Sequence, residues 1–248
     1  MITRRHLIGS LAATPLLAGC DRLTNSEGFR ETLRAAEGLT QHAQRLITDR
    51  TALAREFSEA DMSPVFRSNG TRRPASRSYA THAAAGFADW RLRVDGLVAW
   101  PLSLSMRQVR ALPARTQITR HDCVEGWSAI GKWTGAPLRL ILNGAGISSR
   151  ARYIVFHCAD DYGPTRYYES IDMVDALHPQ TILAWGLNDR PLPIENGAPL
   201  RLRVERQLGY KHAKYVERVE AVDSLDRIAG GRGGYWEDHS DYEWYAGI

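Results

Sequence analysis

Cys123 lies in the run "RHDCVEGWSAIGKWTG", residues 120–135, and four chemistries are open to it. It could be half of a disulfide with Cys158, the other mid-chain cysteine, if the protein enters an oxidising compartment. It could be a nucleophile, which needs a nearby base or positive field to ionise at neutral pH. His121 is two residues away and would share its face in a strand, and His157 is a second candidate. No papain-like or caspase-like signature surrounds the cysteine. It could be a metal ligand. His121, Cys123, His157 and Cys158 could supply four ligands, but the pairs "HDC" and "HC" lack zinc-finger spacing. A single soft thiolate could instead serve a transition metal that a redox cofactor mostly holds. Finally, it could be a packing residue.

A cofactor of that kind often carries a phosphate, which calls for cations and backbone N–H groups elsewhere. The stretch "LGYKHAKY", residues 208–215, offers them: Gly209 permits close backbone approach, and Lys211 and Lys214 supply charge. The same stretch reads equally well as a solvated strand edge, and spacing alone does not choose. Near the C-terminus, Asp238, His239, Asp241 and Glu243 match no metal-loop rule. Trp236, Trp244 and Tyr245 there carry large apolar areas and predict a tail pinned on the core.

The elements that must position these groups follow a signal-like start. "MITRRHLIGSLAATPLLAGC" joins paired Arg4 and Arg5 to a short apolar run from Leu7 to Gly19. The run is too short for a membrane span, which takes about 18 residues or more, and suits an export signal. The twin arginines fit the twin-arginine pathway, and "LAGC" resembles a lipoprotein signal that would lipidate Cys20. Residues 1–19 are therefore expected to be removed. That takes two arginines and no acids from a formal charge of +4, leaving +2. With no dense Lys/Arg stripe, nucleic acid is not an expected partner.

Residues 20–60 read as a helical arm. Phe29, Leu33, Ala36, Leu39, Ala43, Leu46 and Ile47 recur at three- and four-residue steps, and "TALAREF" continues the pattern to Phe57. Residues 63–82 read as a long loop with a tight turn at Asn69–Gly70. Beyond Asp89 the chain turns strand-rich. "WRLRV" leads through a hairpin signal at Asp95–Gly96 to "LVAW", and further strands are expected at 153–159, 181–188, 200–206 and 214–222. Short helices fit at "SLSMRQVRAL", "GAPLRLILNGAG" and "ESIDMVDALHP". Strands and short helices mix without strict alternation, so the expectation is one α+β domain over residues 61–248 with an aromatic C-terminal tail.

Several segments together are familiar. "HDCVEGWSAIGKWTG", "YYESIDMVDALHPQTILAWGLN" and "LPIENGAPLRLRVERQLGYKHAKY" occur in this order, and over residues 60–225 the chain resembles the sulfite oxidase family of molybdenum enzymes in its molybdopterin-binding domain. The resemblance implies a molybdenum–molybdopterin cofactor with Cys123 as the metal ligand. It assigns Asn196 and Arg201 to pterin binding, and Gly209, Tyr210, Lys211 and Lys214 to the phosphate. Asn69 and Gly70 fall at an early cofactor loop, with His82 a further candidate. Tyr167 aligns with the tyrosine that faces the metal, on a segment the family uses as an active-site helix. Cys158 falls near a polar cofactor contact, which argues against its pairing with Cys123.

The departures bear on substrate. Sulfite oxidases carry arginines soon after the metal cysteine. Here Glu125 follows and no arginine occurs before Arg139, so this segment looks more like the bacterial sulfoxide-reductase branch. The resemblance implies an exported, lipid-anchored oxidoreductase on the periplasmic side of the cytoplasmic membrane. It would transfer an oxygen atom, reducing an S-oxide or N-oxide. No haem motif Cys-x-x-Cys-His occurs, so electrons are expected from a separate partner such as a cytochrome. The alternatives are oxidation of a small sulfur or carbon compound, and a non-catalytic lipoprotein binding module.

Overall fold

The structure, a computed structural model, describes residues 26–163 and 165–248. The expected signal peptide and Cys20 lie outside the described residues. Two compact units are present, with the boundary between Thr48 and Asp49. The first contains helix α1 (Glu27–Ile47). The expected continuation of this helix to Phe57 is not found. Asp49 accepts hydrogen bonds from the Thr51 amide and hydroxyl, both at 2.6 Å, which turns the chain where another helical turn would be needed. Residues beyond it run extended, and Glu56 forms a β-bridge with Thr119.

The second unit is built on two five-stranded sheets. One has the order β2-β1-β10-β5-β6, from β1 (Arg91–Gly96), β2 (Leu102–Ser105), β5 (Tyr153–Tyr162), β6 (Thr165–Asp172) and β10 (Val216–Val222). Its β1–β10 pair is parallel and the others antiparallel. The other sheet runs β3-β4-β7-β8, with β9 also on β7, from β3 (Arg115–Cys123), β4 (Trp127–Pro137), β7 (Ile182–Leu187), β8 (Arg190–Pro191) and β9 (Arg201–Arg203). Short helices α2 (Arg77–Ala84), α3 (Met106–Ala111), α4 (Leu138–Gly144), α5 (Met173–Ala176) and α6 (Tyr235–Ser240) fill the connections. One core cluster joins Leu92, Ile154, Phe156, Ile171 and Val219 of the first sheet to Leu183 and Leu202 of the second, with Leu138, Ile141 and Leu142 of α4. Each such fully buried side chain stabilises the fold by about 2 kcal/mol.

Three local expectations need correction. The predicted loop over 63–82 holds the start of α2, whose Ser76 cap accepts from the Tyr79 amide at 3.2 Å while the Tyr79 ring is buried. The segment "LVAW" is not the return strand of a tight hairpin. Its amides bond elsewhere, Leu97 to Ala221, Ala99 to Gly146 and Trp100 to Ala145, and β2 pairs with β1 instead. "ESIDMVDALHP" is strand up to Asp172. Both faces of this stretch of β6 are buried, and only one helical turn follows, capped by Asp172.

Candidate active site

Strands β3 and β4 form a hairpin that pairs Cys123 with Trp127, and the turn between them closes with a Gly126 amide donating to the Cys123 carbonyl at 3.0 Å. Gly126 has φ +83°, a conformation that favours glycine. The hairpin holds Cys123 at the wall of a cleft of about 160 Å³. The thiol is buried and free, and burial pushes its pKa up. Cys158 is free as well, so the two do not form a disulfide. Beyond Cys123, the Glu125 carboxylate accepts from the Trp127 indole N–H at 2.8 Å, which fixes it beside the cysteine.

Behind Cys123 lies His121, 1% exposed. Arg203 donates to its Nδ1 at 3.0 Å, so Nδ1 is the acceptor nitrogen and Nε2 carries the proton. Burial holds His121 neutral, reinforced by Arg201. Its ring packs edge-on against His212 at 5.0 Å. Gly209 is required at this point. A Cβ there would sit 2.5 Å from His121 Nε2, so the glycine serves the histidine ring.

The opposite side of the site is cationic. Arg201 is fully buried over the Trp133 ring and donates to the Asn196 carbonyl at 3.1 Å and to Asn69 Oδ1 at 3.4 Å. Lys214 Nζ donates to the carbonyls of Asn69 (2.7 Å), Glu195 (2.9 Å) and Thr71. Among the described residues neither cation forms an ion pair with a carboxylate. Burial lowers Arg201 to about 9 and Lys214 to about 7. Asp160, also on the cleft wall, is raised by burial to about 7. Five buried polar atoms in this region have no protein partner: His121 Nε2, Asp160 Oδ1, Asn196 Nδ2, Arg201 Nε and His212 Nδ1. A native interior seldom leaves so many groups unsatisfied in one place. Two buried cations without carboxylate partners and a set of orphaned donors and acceptors fit an anionic, heteroatom-rich group such as a phosphorylated pterin, with the Cys123 sulfur at its edge for a soft metal.

The sequence-predicted residues divide into three sets. Asn69, Gly70, Cys123, Tyr167, Gly209, Tyr210 and Lys214 line the cleft. Asn196 and Arg201 stand behind it, linked through Asn69. His82, Cys158 and Lys211 are not brought to it. His82 lines a separate hollow with Tyr79 and packs on Trp90 at 5.4 Å. Cys158 is in the apolar core of β5, its thiol held far above the ordinary range by burial. Lys211 has no exposure. Its ammonium is held by Glu169 at 2.5 Å and Glu237 at 2.7 Å, so it is committed to a buried ion triad. Tyr167 lies on strand β6 and not on a helix. Its hydroxyl donates to the Tyr210 carbonyl at 2.8 Å.

Sequence reasoning missed Asp160, Tyr162, His212, Trp236 and Tyr242, all on the cleft wall. Two signals were available. Asp160 and Tyr162 follow Cys158 at two-residue steps on one strand, and the tail is rich in aromatics.

Comparison with known proteins identifies the family. The family model described as "Oxidoreductase molybdopterin binding domain" matches residues 79–227. A protein of Azospira oryzae, provisionally named protein-methionine-sulfoxide reductase subunit YedZ1, is 37% identical over 96% of this chain and 84% of its own. The protein-methionine-sulfoxide reductase catalytic subunit MsrP of Xanthomonas campestris is 34% identical over 64% of this chain, and the match takes in only 52% of that relative. The MsrP of Campylobacter jejuni is 31% identical over 64% of this chain and 57% of its own. Among solved structures, the sulfane dehydrogenase SoxCD of Paracoccus pantotrophus superposes with a TM-score of 0.52 at 22% identity, over 60% of this chain and 45% of that one. That likeness speaks to the fold.

Proposed function

The chain belongs to the sulfite oxidase family of molybdopterin-binding oxidoreductases, and from that premise we propose that it reduces an S-oxide to the corresponding sulfide with electrons from a separate partner. One observation carries the reading: the Cys123 thiol faces a cleft lined by the buried Lys214, with the buried Arg201 behind it, and neither cation has a carboxylate partner among the described residues. Molybdopterin, when bound, supplies a metal that exchanges two electrons and an oxygen atom with the substrate. Cys123 would hold that metal. Lys214 and Arg201 would neutralise the cofactor's anionic end, and Asn69, Asn196, His121 and His212 would satisfy its heteroatoms. Anion binding would return Lys214 toward its ordinary charged state.

Reduction of R₂S=O takes up two electrons and two protons and releases water, so the site must hold protons near neutral pH. Asp160, at about 7, is half protonated there and lies on the cleft wall. The Tyr167 hydroxyl, pushed far up by burial, stays neutral and keeps its proton on the Tyr210 carbonyl. Glu125 beside Cys123 opposes a sulfite-like anion and leaves an uncharged S-oxide favoured. The substrates named for the relatives support the same class.

Export supports the electron path. The twin-arginine start and "LAGC" would deliver a folded, cofactor-loaded protein anchored through Cys20 on the periplasmic side of the cytoplasmic membrane. No helix among the described residues is long and apolar enough to cross a membrane. Cys20→Ser should release the protein from the membrane fraction.

The deciding experiment measures molybdenum in protein exported from a molybdate-replete host, then S-oxide reduction with a chemically reduced dye. About one metal per chain and turnover of methionine sulfoxide are expected. Less than a tenth of an equivalent of molybdenum would defeat the reading. A loaded protein that oxidises sulfides or sulfite but reduces no S-oxide would reverse its direction.

A further inference from the structure

The match to the family model ends at residue 227, yet Trp236 and Tyr242, beyond that limit, line the same cleft as Cys123. The segment that carries them is tied down along its length. Glu237 pairs with Lys211 at 2.7 Å, and the Trp244 indole N–H donates to Ser170 Oγ at 2.8 Å. The Tyr210 hydroxyl donates to the Glu243 carbonyl at 2.5 Å, and the Ile248 amide donates to the Arg206 carbonyl at 3.0 Å. Ahead of Trp236, the Gly233 carbonyl accepts from the Ser170 hydroxyl, so the segment is anchored on both sides of the two rings and their position is a fixed part of the fold.

The two rings stack at 5.8 Å with 27° between their planes. Tyr242 meets Tyr210 edge-on at 5.0 Å, and Trp236 meets Tyr162 edge-on at 5.5 Å. Tyr210 and Tyr162 line the cleft as well, so four aromatic side chains make one continuous apolar wall. Both tail rings are only partly buried and keep surface to offer a ligand. No arginine lines the cleft among the described residues. Such a wall favours alkyl groups and polarisable sulfur, and Lys214, which also lines the cleft, is directed to the backbone carbonyls of Asn69 and Glu195.

We infer that Trp236 and Tyr242 are specificity-determining residues, receiving the alkyl arm of an uncharged S-oxide whose sulfur lies toward Cys123. The C-terminal tail is then the element that sets which S-oxides are accepted. The inference rests on the S-oxide reading above and adds to it the residues that select among such substrates.

The test compares wild type with Trp236→Leu, Tyr242→Leu and Tyr242→Phe, and with Trp100→Leu, an exposed tryptophan outside the cleft lining, as a control. Two substrates differ in their arms: methionine sulfoxide and dimethyl sulfoxide. For each leucine variant, kcat/KM for methionine sulfoxide should fall about tenfold relative to that for dimethyl sulfoxide, mainly through KM. Tyr242→Phe keeps the ring and should keep most of the preference, and Trp100→Leu should not alter it. Methionine sulfone, which shares the arm but is not reduced, gives a second readout through tryptophan fluorescence of the loaded protein. Its Kd should rise about tenfold in the leucine variants. An unchanged substrate ratio with an unchanged sulfone Kd would overturn the inference. If wild type reduces no S-oxide, the S-oxide reading fails by itself. The sulfone titration then still decides the wall, because equal binding by wild type and the leucine variants refutes it. A leucine variant that does not fold is replaced by the matching methionine variant and judged by the same titration.

Discussion

Lys211→Met separates two roles for that lysine with a large effect. The family motif assigns Lys211 to the cofactor phosphate, whereas the structure binds its ammonium to Glu169 and Glu237, all three side chains at 1% exposure or less. Removing one member of a buried charge set leaves the others uncompensated and costs about 3–5 kcal/mol. For a domain the size of residues 49–248, that lowers Tm by roughly 6–20 °C. The loss should depend on pH. Burial and repulsion from Glu237 already raise the Glu169 pKa, and Lys211 is the group that counters them. Without it, the folded state holds protons that the unfolded chain releases, so stability falls as pH rises above the unfolded carboxylate value of about 4.3. Thermal unfolding followed by circular dichroism at pH 5 and pH 8 checks both effects, with the larger loss expected at pH 8. Adding Glu169→Gln and Glu237→Gln to the variant should recover most of the loss, because no buried charge then lacks a partner. A Lys211→Met protein that melts within about 2 °C of wild type but has lost its cofactor would refute the triad reasoning and restore the phosphate role.

Three further outcomes follow from the site. Cys123→Ser should abolish S-oxide turnover while pterin stays largely bound, measured by fluorescence of the extracted pterin, because other residues grip the anionic end. Gly209→Ala would place a methyl 2.5 Å from His121 Nε2 in a ring cage of His212, Trp127 and Phe66. It should cost about 1–3 kcal/mol in chemical denaturation and lower molybdenum content, because His121 and Cys123 share a strand. In cofactor-free protein, Lys214 at about 7 is far below the ordinary lysine value of 10.5. The unfolded chain then binds the proton more tightly, so stability should rise from about pH 7 to pH 10 and lose that slope in Lys214→Met.

Parts of this architecture are legible in the sequence. Strands β5, β7 and β10 carry apolar runs that announce them, and Pro137 marks the start of α4. Cys123 and the cation at Lys214 emerge from residue type and motif order. The hairpin that presents Cys123 was not visible, for a physical reason. The inward residues of β3 are Gln117, Thr119, His121 and Cys123, so its buried face is mostly polar and shows no apolar alternation. The partners these side chains do have are distant in sequence, Glu205 for Gln117 at 2.8 Å and Arg203 for His121 Nδ1 at 3.0 Å, and a local window cannot see them. The role of Lys211 was hidden in the same way, since Glu169 and Glu237 lie 42 and 26 residues away. His82 and Cys158 fell near the right motifs, but α2 and the pleat of β5 aim them into other packing.

The strand order also constrains the protein's synthesis. β10, among the last strands made, is the central strand of the first sheet and pairs with β1 on one side and β5 on the other. Lys214 and His212 sit just before it and Trp236 and Tyr242 just after. Until residue 222 has left the ribosome, β1–β2 and β5–β6 are two separate hairpins with an open gap between them. The pocket for the cofactor does not exist in any nascent chain short of that point. A pocket able to take the cofactor therefore forms only after the far end of the chain has completed the sheet.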